Sequence, residues 1–223
     1  MTKKDREEEF GEYASPPCFM HELSDEYREV KSTDRKQWDD VRRWRKAERE
    51  RLISARMAID VDRRKLAAKR IAEFLDTLFP DLANSIVSFY WPFRGEPDLR
   101  EWIAAKAQRN IRCALPVVTD KNAPLTFRSW QPGEPLTRGV WNIPVPERGA
   151  EVQPDLILAP VVGFDLQRYR LGYGGGFFDR TLAAARNSPK AIGIGYRQSA
   201  IPTIYPQPHD LAMEIIVTDE GFL

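Results

Sequence analysis

Four glycines at one point of the chain have the spacing of an anion-binding loop; they are Gly172, Gly174, Gly175 and Gly176. The apolar run 156–159 before them is typical of a buried strand, and Phe178, Leu182 and Ala185 after them recur at helical spacing. Glycine lets the backbone adopt positive φ and approach a ligand closely. A helix start offers unpaired N–H groups and the positive end of a dipole. This glycine loop (residues 172–176) is therefore predicted to bind phosphate, and a nucleoside triphosphate is the ligand it favours.

Charged residues flank the glycine loop on both sides. Arg168 and Arg170 precede it, and Asp179 falls in the first turn of the predicted helix. The run from Gly172 to Phe177 is not the dinucleotide pattern G-x-G-x-x-G, because its sixth residue is phenylalanine, and no Gly-Lys-Ser/Thr follows as in a P-loop. A glycine-rich turn without a ligand explains the glycines alone equally well. The charges and the strand-to-helix context favour phosphate binding.

Length, charge and cysteine content exclude several classes of protein. The 223 residues suffice for one well-packed domain, and 34 basic against 33 acidic residues leave a net charge of +1. A nucleic-acid binder driven by bulk charge is therefore not expected. Two cysteines and two histidines do not form a zinc cluster. The N-terminus is charged and no apolar run could span a bilayer, so we expect a cytoplasmic protein without a membrane partner.

The sequence predicts a polar extension at residues 1–35 and a single domain at residues 36–223. Strands are predicted at 85–90, 111–118, 125–130, 156–159, 191–196 and 215–218, and 141–146 reads as extended. Helices are predicted at 35–58, between Asp60 and Pro80, at 98–108 and after the glycine loop. A β–α–β order with short connections predicts an open, mostly parallel α/β sheet with helices on both faces, a Rossmann-like three-layer arrangement.

Basic side chains crowd the first predicted helix; they are Arg42, Arg43, Arg45, Lys46, Arg49, Arg51 and Arg56. A solvated face stabilised by ion pairs one turn apart is the simpler interpretation. The functional alternative is that one or two of these side chains reach the glycine loop.

Loops at the carboxyl ends of the predicted strands carry aromatic rings and a carboxylate. Ligands of open α/β sheets bind at those ends, where the chain places Trp91, Phe93, Glu96 and Trp141. Trp141 and a phenylalanine would sandwich a flat heteroaromatic ring whose N–H groups Glu96 accepts. Core packing explains each ring singly, and a helix-start carboxylate explains Glu96. The combination favours a ligand pocket.

The chain resembles the 5-formyltetrahydrofolate cyclo-ligase family, also called methenyltetrahydrofolate synthetases. RLGYGGGFFD from Arg170 to Asp179 is similar to the family's R-L-G-x-G-x-G-Y-Y-D, and Pro160, Phe164 and Asp165 match the Pro-x-x-x-Phe-Asp before it. Three further blocks resemble the family in the expected order: YWPFRGE at 90–96, WNIPVP at 141–146, and His209-Asp210 with IIVT at 215–218. The resemblance covers roughly residues 46–218.

The resemblance implies an enzyme that uses ATP and Mg²⁺ to convert 5-formyltetrahydrofolate to 5,10-methenyltetrahydrofolate, with release of ADP and phosphate. By this analogy Arg170 and Asp179 would be catalytic, and Asp179 would hold Mg²⁺. ATP would contact Arg51, Arg170, Gly172, Tyr173, Gly174, Gly175, Gly176 and Phe177. The reduced folate would contact Trp91, Phe93, Glu96, Trp141, Phe177 and Phe178. We expect a monomer whose partner is this small-molecule substrate.

Two departures from the family pattern keep alternatives open. Phe177 and Phe178 stand where the family has tyrosines. The family's helix motif Lys-x-x-Leu-Arg, aligned on the run that begins at Arg56, puts Ala47 at the lysine and Arg51 at the arginine. The alternatives are a non-catalytic folate- or nucleotide-binding paralogue and another ATP-using enzyme on the same scaffold.

Overall fold

The computed structural model describes the backbone from Asp25 to Leu223 and the side chains from Lys36 onward. Helix α1 (Asp25–Met57) begins inside the segment predicted as an extension, of which residues 1–24 lie outside the described part. One compact unit ends at Trp44, and the other comprises Arg45–Leu223. The boundary predicted between residues 35 and 36 stays a prediction.

Charge pairs and caps explain where the helices form. Along α1, acidic residues precede arginines by three positions and pair with them, as Glu48 does with Arg51. Helix α2 (Val61–Leu78) follows the N-cap Asp60, whose carboxylate accepts from the Arg63 N–H at 2.9 Å. Helices α3 (Arg100–Ala107) and α4 (Phe177–Ala184) are short. In the described part of the chain, no helix is long and apolar enough to cross a membrane.

The described residues form twelve short strands: β1 (Ile86–Ser88), β2 (Arg112–Val117), β3 (Thr126–Ser129), β4 (Leu136–Arg138), β5 (Pro144–Pro146), β6 (Glu151–Val152), β7 (Leu156–Pro160), β8 (Gly163–Phe164), β9 (Arg170–Leu171), β10 (Lys190–Ile194), β11 (Ile215–Thr218) and β12 (Gly221–Phe222). Eight of them form one sheet in the order β12-β11-β10-β7-β1-β2-β3-β6. β4 pairs with β5 and β8 with β9.

The centre of the sheet is parallel. β11, β10, β7, β1 and β2 run in the same direction, and the antiparallel strands β12, β3 and β6 lie toward its edges. This confirms the predicted mostly parallel α/β sheet. Because side chains alternate between faces along a strand, Val87 and Leu158 join a buried cluster with α2 and α3. Ile86 and Ile157 join a cluster with Leu182 of α4, so helices cover both faces as predicted.

The segment predicted as extended at 141–146 is only partly so. Trp141 and Asn142 belong to a short 3₁₀ turn and have φ of 55° and 62°, whereas Pro144–Pro146 forms β5. The turn changes the direction of the chain just before the proline, where the α region is disfavoured. It leaves the Trp141 side chain 58 % exposed.

Candidate active site

A cavity of about 410 Å³ opens at the carboxyl ends of β1, β2 and β7. Its volume is typical of a small-molecule site. The structure brings every predicted site residue except Arg51 to its walls: Trp91, Phe93, Glu96, Trp141, Arg170, Gly172, Tyr173, Gly174, Gly175, Gly176, Phe177, Phe178 and Asp179. These residues come from segments as far apart in sequence as the β1–α3 loop and α4.

The glycine loop ends at the start of α4. Gly174 and Gly176 have φ of 95° and 65°, a region that favours glycine, and Gly176 is the N-cap of the helix. Among the described residues, this cap has no side-chain hydrogen bond to the helix N-terminus. The first backbone N–H groups of α4 therefore remain available at the cavity for an anion, with the positive end of the helix dipole behind them.

Arg170 and Asp179 form a buried ion pair below the glycine loop. The Arg170 Nη2 lies 3.0 Å from the Asp179 Oδ1, and Nη1 donates to the Leu211 carbonyl oxygen at 3.1 Å. The Asp179 Oδ1 also accepts from the Leu211 N–H at 3.1 Å. Arg170 is only 7 % exposed, and burial lowers the pKa of its guanidinium while Asp179 opposes this effect. The pair fixes one cation and one carboxylate at the part of the cavity that the glycine loop lines, called here the glycine-loop end.

Glu96 lines the same cavity and is buried, 5 % exposed; the part of the cavity around it is called here the Glu96 end. Its Oε2 accepts from the Phe93 N–H at 2.9 Å, and its Oε1 accepts from the Tyr173 hydroxyl at 2.7 Å. The Arg56 Nη2 lies 3.8 Å from Oε1. Burial raises the pKa of Glu96 to about 7, against the opposing effects of Arg56, Tyr173 and the Phe93 N–H. A buried carboxylate with spare lone pairs can accept hydrogen bonds from a planar ligand edge.

Aromatic rings line the space between these two ends. The Trp141 and Phe177 rings meet edge to face with centroids 5.7 Å apart, and the Phe93 and Tyr173 rings lie 5.9 Å apart. The Arg170 guanidinium carbon lies 5.7 Å from the centre of the Phe178 ring. The two phenylalanines that depart from the family pattern therefore pack through their rings, without needing phenol hydroxyls.

Among the α1 arginines whose side chains are described, Arg45 and Arg49 line the cavity and Arg51 does not. Arg51 pairs with Glu48, and its side chain is 60 % exposed. Two residues along a helix is a rotation of about 200°, so Arg49 faces the cavity where Arg51 was predicted. Its Nε donates to the Gly172 carbonyl oxygen at 2.7 Å, and its guanidinium lies over Gly174. The hypothesis that arginines of this helix reach the glycine loop thus has a structural basis at Arg49.

Arg45 and Arg49 are four residues apart, which is the spacing of the lysine and arginine in Lys-x-x-Leu-Arg. Arg45 and Arg49 therefore match the spacing of the two basic positions of this motif and both line the cavity, which Ala47 and Arg51 do not. Arg45 is itself paired with Asp210, and its Nε donates to the Ile204 carbonyl oxygen at 2.9 Å. The sequence did contain a signal for the side of α1 that faces the cavity. That signal is a helical stripe with spacings of four, three and four, formed by Arg45, Arg49, Leu52 and Arg56.

Asp179 fits a magnesium ion that is bound to phosphate. Its side chain is 19 % exposed, and it lines the cavity next to the N-terminus of α4. Among the described residues, no three His, Cys, Asp or Glu side chains form a metal-binding group. Mg²⁺ is commonly held by one or two carboxylates together with substrate phosphates and water. The donor set therefore suits a metal–nucleotide complex and does not form a cage for the free ion.

Comparisons with known proteins agree with this arrangement. A relative from Mycolicibacterium smegmatis, a 5-formyltetrahydrofolate cyclo-ligase, is 30% identical over 145 residues, which are 61% of this chain and 75% of the relative. The Escherichia coli protein of that name is 26% identical over 73% of this chain and 93% of its own.

Two solved structures have a similar fold. The 5,10-methenyltetrahydrofolate synthetase from Mycoplasma pneumoniae superimposes with a TM-score of 0.66 and 22% identity, covering 78% of this chain and 98% of that one. The corresponding protein from Aquifex aeolicus gives a TM-score of 0.68 and 23% identity over 80% and 91% of the two chains. The family model of these enzymes matches residues 41–219, and the chain therefore belongs to the 5-formyltetrahydrofolate cyclo-ligase family.

Proposed function

We propose that this protein converts 5-formyltetrahydrofolate to 5,10-methenyltetrahydrofolate at the expense of ATP, releasing ADP and phosphate. One observation carries the proposal: two different sites line the same cavity. One is the glycine loop, which caps α4 and is flanked by the Arg170–Asp179 pair, and the other is the buried carboxylate of Glu96. Family membership supplies the reaction, and this geometry supplies a place for each of its two substrates.

The chemistry is phosphoryl transfer followed by ring closure. The formyl oxygen on N5 attacks the γ-phosphorus, and the P–O bond to ADP breaks. N10 then attacks the activated formyl carbon and loses its proton, and the C–O bond to phosphate breaks, which leaves the methenyl bridge. No water enters the product. A cavity that keeps water away from the activated carbon therefore protects this carbon from hydrolysis.

Positioning and charge neutralisation supply most of the catalysis in phosphoryl transfer. The N–H groups of the glycine loop and of the α4 N-terminus, with Arg170 and Arg49, are proposed to hold the triphosphate. Asp179 would supply a carboxylate oxygen to Mg²⁺, which neutralises phosphate charge when bound. Arg49 takes the ATP contact predicted for Arg51.

The folate end of the cavity is proposed to hold the pterin. Glu96 would accept hydrogen bonds from N–H groups at the pterin edge, and Trp141, Phe177, Phe178, Trp91 and Phe93 would contact its flat faces. A monomeric enzyme is part of this proposal. A cytoplasmic location stays a prediction.

The test is the absorbance of methenyltetrahydrofolate when purified protein meets 5-formyltetrahydrofolate and Mg²⁺, with and without ATP. We expect a rise only with ATP. A flat trace from folded protein that still binds both ligands would instead favour a non-catalytic paralogue. Binding of ATP without folate would favour another ATP-using enzyme on the same scaffold.

A further inference from the structure

Tyr173 belongs to both ends of the cavity. Its backbone lies in the glycine loop, between Gly172 and Gly174, whereas its hydroxyl donates to the Glu96 Oε1 at 2.7 Å. The same hydroxyl accepts from the Arg56 Nη2. Within the described chain, the Tyr173 side chain links the glycine loop to the Glu96 carboxylate by a hydrogen bond.

The partners of the Tyr173 hydroxyl make further hydrogen bonds to the backbone, whereas Tyr173 itself lies in the glycine loop. Arg56 holds two further backbone points, donating from Nε to the Arg94 carbonyl oxygen at 2.9 Å and from Nη1 to that of Val161 at 3.3 Å. Glu96 is also fixed through the Phe93 N–H. Tyr173, by contrast, is attached to a loop with glycines on both sides, and its residue is 39 % exposed. A ligand bound at this loop would contact the backbone segment that carries the Tyr173 hydroxyl to Glu96.

We propose that Tyr173 is a positioning residue through which nucleotide bound at the glycine loop orients Glu96 and so strengthens the binding of reduced folate. The proposal rests on the proposed function and adds a coupling between its two substrate sites. A hydrogen bond from a neutral hydroxyl to a buried carboxylate is charge-assisted and therefore sensitive to geometry. Burial and the nearby Glu96 raise the pKa of Tyr173, so its hydroxyl keeps the proton that it donates.

Tyr173→Phe removes the hydroxyl and keeps the ring that packs on Phe93. The matched control is Tyr196→Phe, because the Tyr196 hydroxyl donates to the Gly95 carbonyl oxygen at 3.0 Å. That bond supports the same Glu96 loop without touching the glycine loop. Both variants lose one tyrosine hydroxyl, and only the first breaks the link between the two ends.

The measurement is calorimetric binding of 5-formyltetrahydrofolate with and without a non-hydrolysable ATP analogue and Mg²⁺. Coupling between sites is commonly about 5-fold or more and is reciprocal, so the analogue should tighten folate binding by at least that factor in the wild type and in Tyr196→Phe. In Tyr173→Phe the ratio should fall to about 1. Tyr173→Leu, which also lacks the hydroxyl, repeats the test if the phenylalanine variant unfolds.

A pH profile separates positioning from loss of packing. The Tyr173 bond, together with Arg56 and the Phe93 N–H, opposes the effect of burial on Glu96, and Tyr90 and Tyr196 are the other titratable groups near it. Tyr173→Phe should therefore move the acidic limb of folate binding upward by about one pH unit, and Tyr196→Phe should not.

An unchanged coupling ratio in Tyr173→Phe, or a wild type without coupling, would overturn the proposal. Both results concern only the coupling between the sites, so ATP-dependent turnover would still support the proposed function. A protein that binds neither ligand would instead contradict the proposed function.

Discussion

The two ends of the cavity are built in different ways. The end proposed to bind phosphate uses one continuous segment, from Arg170 through the glycine loop to Asp179 at the first turn of α4, to which α1 adds Arg49. The folate end uses side chains from separate loops, with Glu96 and Phe93 after β1 and Trp141 in a 3₁₀ turn. A local anion site needs only a loop conformation and a helix start, whereas a planar ligand needs surfaces that only the tertiary fold can bring together.

This difference leads us to expect severe effects from single changes at the phosphate end. Arg170→Ala should lower kcat/KM by about 10³-fold and destabilise the fold by roughly 3 kcal/mol, because it leaves the Asp179 carboxylate without its buried partner. Steady-state kinetics and urea unfolding measure the two effects. Arg168→Ala is the control, since Arg168 donates to the Met213 carbonyl oxygen and does not line the cavity. Equal activity in both variants would show that Arg170 does not take part in catalysis.

Two arginines on opposite sides of α1 test whether this helix contributes to nucleotide binding. Arg49→Ala should weaken binding of an ATP analogue by roughly 10- to 30-fold, because a charge-assisted contact to phosphate is lost. Arg51→Ala should change it by less than about twofold, since exposed ion pairs contribute little. Titration of the analogue into each variant decides between them. The reverse order of affinities would restore the alignment that places Arg51 at the phosphates.

The parts of the site that could be predicted from the sequence are those whose residues are close together along the chain. The glycine loop, its strand and α4 could be predicted because their residues are contiguous and the glycines mark the turn. The register of α1 could not be derived from a motif alignment alone, since an offset of two residues rotates a side chain to the opposite side of a helix. The sequence did not indicate the left-handed φ of Trp141 either. Trp141 is not a glycine, and its turn depends on the pairing of β4 with β5 around it.

Glu96 gives a prediction on stability that concerns the folate end alone. Its native pKa of about 7 lies above the ordinary value of 4.5, so between these values the native state binds a proton that the unfolded state has lost. The free energy of unfolding therefore falls as pH rises through this window, by at most roughly 3 kcal/mol from this group. Glu96→Gln should lack that fall, and chemical unfolding at several pH values measures the difference from wild type. Parallel curves for the two proteins would show that Glu96 does not titrate in this window.

Whether the two ends act in one reaction is tested most directly by counting both products in the same sample. ADP and 5,10-methenyltetrahydrofolate are to be quantified together during turnover of 5-formyltetrahydrofolate with Mg²⁺ and ATP. We expect one ADP for each methenyltetrahydrofolate, and no ADP above background without the folate. Release of ADP without formation of methenyltetrahydrofolate would contradict the account, because the phosphate end would then work without the folate end.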